Sequence, residues 1–395
     1  MKKYHIPTWQ GILAILFVAA FLGGGIIWTT ESVSSQIVGN SKAIVNSVKN
    51  VEKKVVTTIV EVFDDPEPLP PPPPPPDWDL IKNKGCVADG VLNGYGGNNK
   101  RVIEVINRSE CEYLHRSIET WLEAPDFDDI KKNKKKITKE DLVFGMFIAE
   151  AIDTKVDYFY PAEDRDFDFS KMCKEGTKNI WGEHTCRPSL ARSEYRKYVQ
   201  FISEQAMDIG VQSFMFGQIY YQDSQSEPWA GHVIEKMKEY AEFRGIKILV
   251  GAQTNDIEDE AYLRLFDYIE GGVGLHASGE TEDGPCFSRW DGWCWALLWH
   301  EKYKSKANNV LIHLDWSGHK GDDMATFALM SKYLRDCSLR RLHKKFTSQD
   351  IGFLMPILTP LPKDNGGCHG KSRKFYSPDD KYSCKDEGVV NDILK

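Results

Sequence analysis

The chain has 395 residues, 41% of them hydrophobic and 27% charged, with a net charge of -8. Such values exclude a wholly disordered chain, a collagen-like repeat and a polytopic membrane protein. The acidic balance argues against nucleic acid as a partner, since a sequence-independent binder needs a basic surface. The charge is unevenly spread: residues 1–30 carry two Lys and no acid, and residues 31–65 carry four Lys and five acids. With +2 and -1 set aside, the remainder of the chain holds -9.

In chain order, the first element is an uncharged run from Gly11 to Trp28. Eighteen residues at about 1.5 Å each reach ~27 Å, close to the hydrocarbon thickness of a bilayer. Trp9 and Trp28 flank the run and Lys2 and Lys3 precede it, so residues 1–30 read as a cytoplasmic tip and an uncleaved transmembrane anchor, with the bulk of the chain extracytoplasmic. Residues 31–65 read as a helical stalk. Ile44, Val48, Val51, Val55, Ile59 and Val62 form one helical stripe, compatible with a short coiled coil and homo-oligomerisation through residues 31–63. Residues 66–76 are proline-rich and read as a polyproline II spacer of about 34 Å.

All nine Cys lie beyond the spacer. Eight fall into neighbours: Cys86/Cys111, Cys173/Cys186, Cys286/Cys294 and Cys368/Cys384. An outside location permits disulfides, and Cys173–Cys186, within one long polar loop, is the first pair expected to bridge. Connectivity of the rest stays open. The absence of any CxxC argues against a zinc module.

Residues 77–358 alternate strand and helix patterns. Strands are expected at 86–92, 111–119, 142–150, 211–219, 246–253, 272–276, 310–316 and 351–358; the clearest helices are 191–208, 230–244, 258–270, 291–307 and 322–346. Eight such alternations over a length near the typical ~250 residues predict an α/β fold, a (β/α)8 TIM-like barrel. A doubly wound open sheet is the alternative, but no G-x-G-x-x-G or Walker motif supports a nucleotide-binding version. The Gly94–Gly97 stretch reads as a tight turn. Residues 359–395 read as a C-terminal tail.

Strand faces alternate, so residues on the inner face at the C-terminal strand ends are the site candidates. Ile312 and Leu314 are expected to face the helices, leaving Leu311, His313 and Asp315 inside. The same alternation puts Tyr113, His115 and Glu119 inside strand two, and Leu249, Gly251 and Gln253 inside strand five. Gly274 and His276 fall inside strand six. Glu150 closes strand three, while Gln218 and Tyr220 close strand four. Glu150, Asp315 and Glu119 are the candidate catalytic acids, because two carboxylates across a cleft run glycoside hydrolysis. Gln218, Tyr220, Gln253, His276, His313, Trp316 and Trp181 are the candidate substrate-binding residues. Flat rings at strand ends suit the apolar faces of sugars, and Tyr95, Trp121, Tyr221, Trp229 and Trp290 are placed similarly. The run from Trp290 to Trp295 is expected to open a helix. The 153–190 insertion leaves the same barrel end and reads as a lid or cleft wall, with Trp181 and His184 as contacts. Its acidic run Glu163, Asp164, Asp166 and Asp168 reads as a solvated face.

In these features the chain resembles extracytoplasmic (β/α)8 barrels of the glycoside-hydrolase type. The likeness rests on strand count, strand-end acids and strand-end aromatics over residues 86–358. It implies carbohydrate as the ligand. Large groups of these hydrolases carry a glutamate acid/base after strand four and a glutamate nucleophile after strand seven. Here strand four ends Gly217-Gln218 and strand seven ends Asp315-Trp316. Another carboxylate pair, or binding without catalysis, is what that departure leaves. A metal site from His276, His313, Asp315 and His319 is disfavoured by the absence of H-x-H on strand one, and G-x-S-x-G is absent. No metal or cofactor is expected.

Overall fold

A computed structural model of the chain describes residues 72–94, 99–290, 293–362, 364–369, 374–380 and 384–395. The anchor at 1–30, the stalk at 31–65, the first part of the spacer and Tyr95 lie outside the described residues. No helix among the described residues is long and apolar enough to cross a membrane.

The unit Pro70–Lys395 is built around eight parallel strands. These are β1 (Gly85–Ala88), β2 (Tyr113–Ile118), β3 (Val143–Ile148), β4 (Val211–Phe216), β5 (Leu249–Ala252), β6 (Tyr268–Gly272), β7 (Val310–His313) and β8 (Gly352–Pro360). Each pairs with the next, and β1 pairs with β8, so the sheet closes. The principal outer helices are α2 (Asn99–Arg108), α3 (Phe127–Lys134), α4 (Ser193–Asp208), α5 (Ala230–Phe243), α6 (Asp323–Leu329) and α7 (Lys332–Thr347). The open-sheet alternative is thereby excluded.

Strand alternation divides the apolar side chains into two cores. Val87, Tyr113, Phe147, Met215, Tyr268, Leu311 and Leu354 fill the barrel interior. Leu114, Ile118, Ile148, Val250, Ala252, Ile269 and Ile312 pack outward against the helices. Helix α1 (Trp78–Lys84) closes the N-terminal end. Asp77 caps it by accepting the Asp79 N–H at 2.8 Å, its buried Ile81 joins the interior core, and Trp78 meets Tyr268 edge-on. The spacer's last residues reach the same region, where Gln212 Nε2 donates to the Pro74 carbonyl at 2.7 Å.

Three expected elements are corrected. The helix expected over 322–346 is two, α6 and α7, parted by extended backbone at Met330 and Ser331. Residues 291–307 do not form one helix. Cys286–Trp290 and Trp293–Ala296 pair antiparallel, and a single helical turn follows at Glu301–Lys304. A disulfide joins Cys286 to Cys294 across this hairpin, and the period-two spacing of Trp293 and Trp295 suits strands. Residues 258–270 form only the turn Glu260–Leu263, and the sixth strand begins at Tyr268, not at 272. The helical spacing of Tyr262, Leu263, Phe266 and Ile269 masked it: Ile269 belongs to a strand whose alternate residues Tyr268 and Glu270 point inward.

All four neighbouring cysteine pairs are bridged, with Cα–Cα separations of 4.8 to 5.9 Å. Cys337 is free and half-buried. The tail is an integral part of the fold. Phe375–Tyr376 pairs with the end of β8, and α8 (Glu387–Leu394) buries Val389, Val390 and Leu394. Arg335 on α7 holds Asp386 through two contacts of 2.8 and 2.9 Å.

Candidate active site

The C-terminal strand ends enclose a cavity of about 370 Å³. Its polar lining is Arg116, Glu150, Arg187, Gln218, Gln253, Asn255, Glu270, Asp315, Ser317 and His319, and its rings include Trp121, Trp181, Tyr220, Tyr221, Trp295 and Trp316. A concave, largely apolar pocket with convergent polar groups is the form that small-ligand sites take.

Glu150 lies two residues past β3 and is 1% exposed. Its Oε2 has no hydrogen-bond partner and lies against the α-carbon of Gly217, where any side chain would occupy the space of both the carboxylate and the Phe147 ring. Burial pushes its carboxyl up to about 7, and the charge of Asp315 pushes the same way against Arg116 and Arg187. A carboxyl that keeps its proton near neutrality is suited to general-acid work.

Glu270, on β6, is fully buried beneath the cavity. Burial works to raise its carboxyl, but His313, His115 and Arg116 outweigh it and hold the group well below the usual range. The partner His313 moves the other way: burial would lower it, yet contact with Glu270 raises it to about 9. His115, 4.0 Å from the same carboxylate, is lowered by burial to about 3. Glu270 and His313 therefore form a buried ion pair with His115 neutral beside it.

A second charged group surrounds Arg116. Its guanidinium meets Asp89 at 2.8 Å and Glu119 at 3.0 Å and lies 4.0 Å from the Phe147 ring centre. Plain alternation would put Arg116 on the outer face with Leu114 and Ile118. Its φ of 55° and a register shift between β2 and β3 turn it into the mouth instead. A non-glycine residue in left-handed backbone is strained, and such residues cluster at functional sites.

Asp315 follows β7 in a loop fixed from behind. Asp323 accepts the N–H groups of Val273 (2.9 Å), Leu275 (2.8 Å) and Asp315 (3.3 Å), binding the loops after β6 and β7 together. Asp322 caps α6 through the Ala325 N–H and also accepts the Ser317 N–H at 2.9 Å. Two buried carboxylates in sequence thus hold the loop that carries Asp315 and Trp316.

The insertion and the hairpin build the aromatic walls. Trp181 meets Trp121 edge-on at 5.3 Å. Arg187 stacks 3.4 Å from the centre of the Tyr221 ring, and its Nε is buried without a partner. Tyr220 donates to Gln218 Oε1 at 2.9 Å, and the Gln218 N–H donates to Gln253 Oε1 at 3.2 Å. Gln218 itself has φ 32°.

Of the residues expected from sequence, Glu150, Asp315, Gln218, Tyr220, Gln253, Trp316 and Trp181 line this one cavity. Three others are placed elsewhere. Glu119 is buried on Arg116 and accepts the backbone N–H groups of Thr120 and Trp121, so its oxygens are spent on its own loop. His313 lies beneath the cavity, on Glu270. His276 is outside the strand because β6 ends at Gly272; it meets Glu282 at 3.5 Å and the Phe287 ring. Trp229 stacks on Arg196 instead of entering the mouth. His184 lies in a neighbouring cleft. Sequence reasoning missed Arg116, Arg187, Glu270 and Trp295. The hairpin's Trp-Cys-Trp spacing pointed to Trp295; nothing local pointed to the bulge at Arg116.

No protein-family model matches the chain, and no curated protein does. Solved structures similar to it include glycoside hydrolases. An alpha-amylase from Anoxybacillus shares 10% identity at a TM-score of 0.42, covering 81% of this chain and 78% of that one. The glycoside hydrolase domain of PelA from Pseudomonas aeruginosa shares 8% identity at 0.35, covering 64% and 89%. A GH27 β-L-arabinopyranosidase from Geobacillus stearothermophilus shares 10% identity at 0.32, covering 49% of this chain and about half, 54%, of that enzyme. The likeness concerns the fold, and the TIM barrel stands here on its own strand pairing.

Proposed function

We propose that the chain is a membrane-anchored, extracytoplasmic glycoside hydrolase acting on cell-surface or envelope carbohydrate. The observation that carries this reading is the placement of a buried, proton-retaining Glu150 and of Asp315 in one aromatic-lined cavity at the barrel's C-terminal mouth. Glu150 would donate its proton to the glycosidic oxygen. Asp315 would supply the second carboxylate, either attacking the anomeric carbon or activating a water. Trp121, Trp181, Trp295 and Trp316 offer faces for sugar rings. Gln218 occupies a strand-four position where an acid would otherwise serve, so the pair spans strands three and seven. Anchoring through residues 11–28 and self-association through residues 31–63 belong to the same reading and are supported by sequence pattern.

Incubation of the purified chain with a glycan panel tests it. Reducing-end release that disappears in Glu150→Gln and in Asp315→Asn is expected. Full activity in the double variant would remove the site assignment. Gln218 also favours a second reading, a glycan-binding module without catalysis, and saturable binding with no cleavage across the panel would select it.

A further inference from the structure

The insertion between β3 and α4 carries a second feature that the hydrolase reading does not use. A cleft of about 1060 Å³ is lined by Lys155, Lys171, Lys174, Lys178 and Arg192 against only two carboxylates, Glu175 and Glu194. Both carboxylates are already engaged, Glu175 with Arg192 at 3.0 Å and Glu194 with Arg165. Lys171 meets Asp168 at 3.1 Å. Among the described residues no carboxylate pairs with Lys155 or Lys178, and Lys174 Nζ instead reaches the Tyr221 carbonyl at 3.3 Å. The Tyr221 ring faces the active-site cavity and carries Arg187, whose buried Nε also has no partner. Lys174 and Arg187 therefore both touch Tyr221, one at its carbonyl and the other at its ring. They continue the positive charge from the outer cleft to the cavity, on a chain whose net charge is -8. The Cys173–Cys186 disulfide lines the outer cleft, so the cations are carried on a cross-linked frame, not on a free loop.

We propose that this cleft is an anion-binding subsite beside the active site, and that the glycan the protein takes is an acidic polysaccharide. This rests on the hydrolase reading for the cavity, but on charge alone for the cleft. The volume suits several residues of a chain better than a single ion. Cations spaced along it match repeating carboxylate or sulfate groups, with Arg187 taking an anionic group at the mouth by its planar donors.

Titration of the full chain with polygalacturonate, chondroitin sulfate and neutral amylose, at low and high salt, tests the proposal. Either acidic polymer is expected to bind at least about tenfold more tightly than amylose, with affinity falling as salt screens the pairs. The carboxylated and sulfated polymers together show which anion is preferred. Lys155→Ser with Lys178→Ser is expected to weaken acidic-polymer binding about tenfold. Acidic polymers binding no more tightly than amylose, or an unaltered affinity in the double variant, would overturn the proposal. Cleavage of neutral glycan without any preference for acidic polymer overturns this inference and leaves the hydrolase reading standing. Salt-sensitive binding of acidic polymer with no cleavage does the reverse.

Discussion

Replacing Glu150 with Gln separates the chemistry of that residue from its effect on stability. The carboxyl is buried, one oxygen has no partner, and its proton is held up to about 7 against an ordinary value of 4.5. A group whose folded value is raised contributes fully below its unfolded value, and that contribution is lost as pH rises through the folded value. The native state thus loses stability between about pH 4.5 and 7, and the loss persists above. Two and a half units at about 1.4 kcal/mol each give roughly 3 kcal/mol. Glutamine has the same shape and no charge, so Glu150→Gln escapes this loss. Any fixed cost of burying its amide is the same at every pH, so the quantity to read is the variant-minus-native difference at pH 8 compared with pH 4. Urea denaturation at both values is expected to show the variant gaining about 3 kcal/mol on going from pH 4 to pH 8, with glycan hydrolysis lost at either. In the native chain, activity that needs the protonated acid falls as pH rises through about 7. An equal stability difference at both pH values would refute the reasoning, because it would mean that Glu150 is ionised in the folded chain as in the unfolded one.

Gly217→Ala inserts a carbon where the Glu150 carboxylate and Phe147 ring now lie; a loss of about 1–3 kcal/mol in denaturation and a sharp fall in kcat are expected. Glu270→Gln leaves His313 buried without its counter-charge. Because Glu270 is lowered and His313 raised, the pair contributes most between about pH 4.5 and 6.5. It fades as pH falls through the depressed Glu270 value or rises through that of His313. Denaturation at pH 6 is expected to show a cost of about 3–5 kcal/mol that shrinks above pH 9. Cys286→Ser with Cys294→Ser unpins the hairpin that carries Trp295; thermal unfolding about 2 kcal/mol weaker, with KM raised more than kcat is lowered, is the expected outcome.

The strand–helix alternation of a barrel is legible in the sequence, while closure rather than an open sheet follows from the pairing of β1 with β8. Strand faces are written in a period of two, and Tyr113 against Leu114, or Leu311 against Ile312, shows which residue turns inward without any knowledge of its neighbours. Because strand ends must converge on one mouth, Gln253 and Asp315 could be placed there by alternation, and Glu150 and Gln218 by their position at the close of strands three and four, although both fall off the inward period set by Phe147 and Met215. The tertiary structure decided what depends on contacts between distant segments or on a break in the period. Arg116 enters the mouth through a bulge and a left-handed φ, which no alternation can show. Glu270 was hidden because Tyr262, Leu263, Phe266 and Ile269 carry helical spacing, and only pairing with β5 and β7 makes that segment a strand. Glu119 and Glu150 look alike in sequence, both acids at strand ends. One sits on a guanidinium and two backbone N–H groups, and the other faces the cavity with an oxygen unmatched. Burial raises both carboxyls to about 7, so the difference sets which of them is open to a bound ligand, and it arises wholly from what the rest of the chain brings beside them.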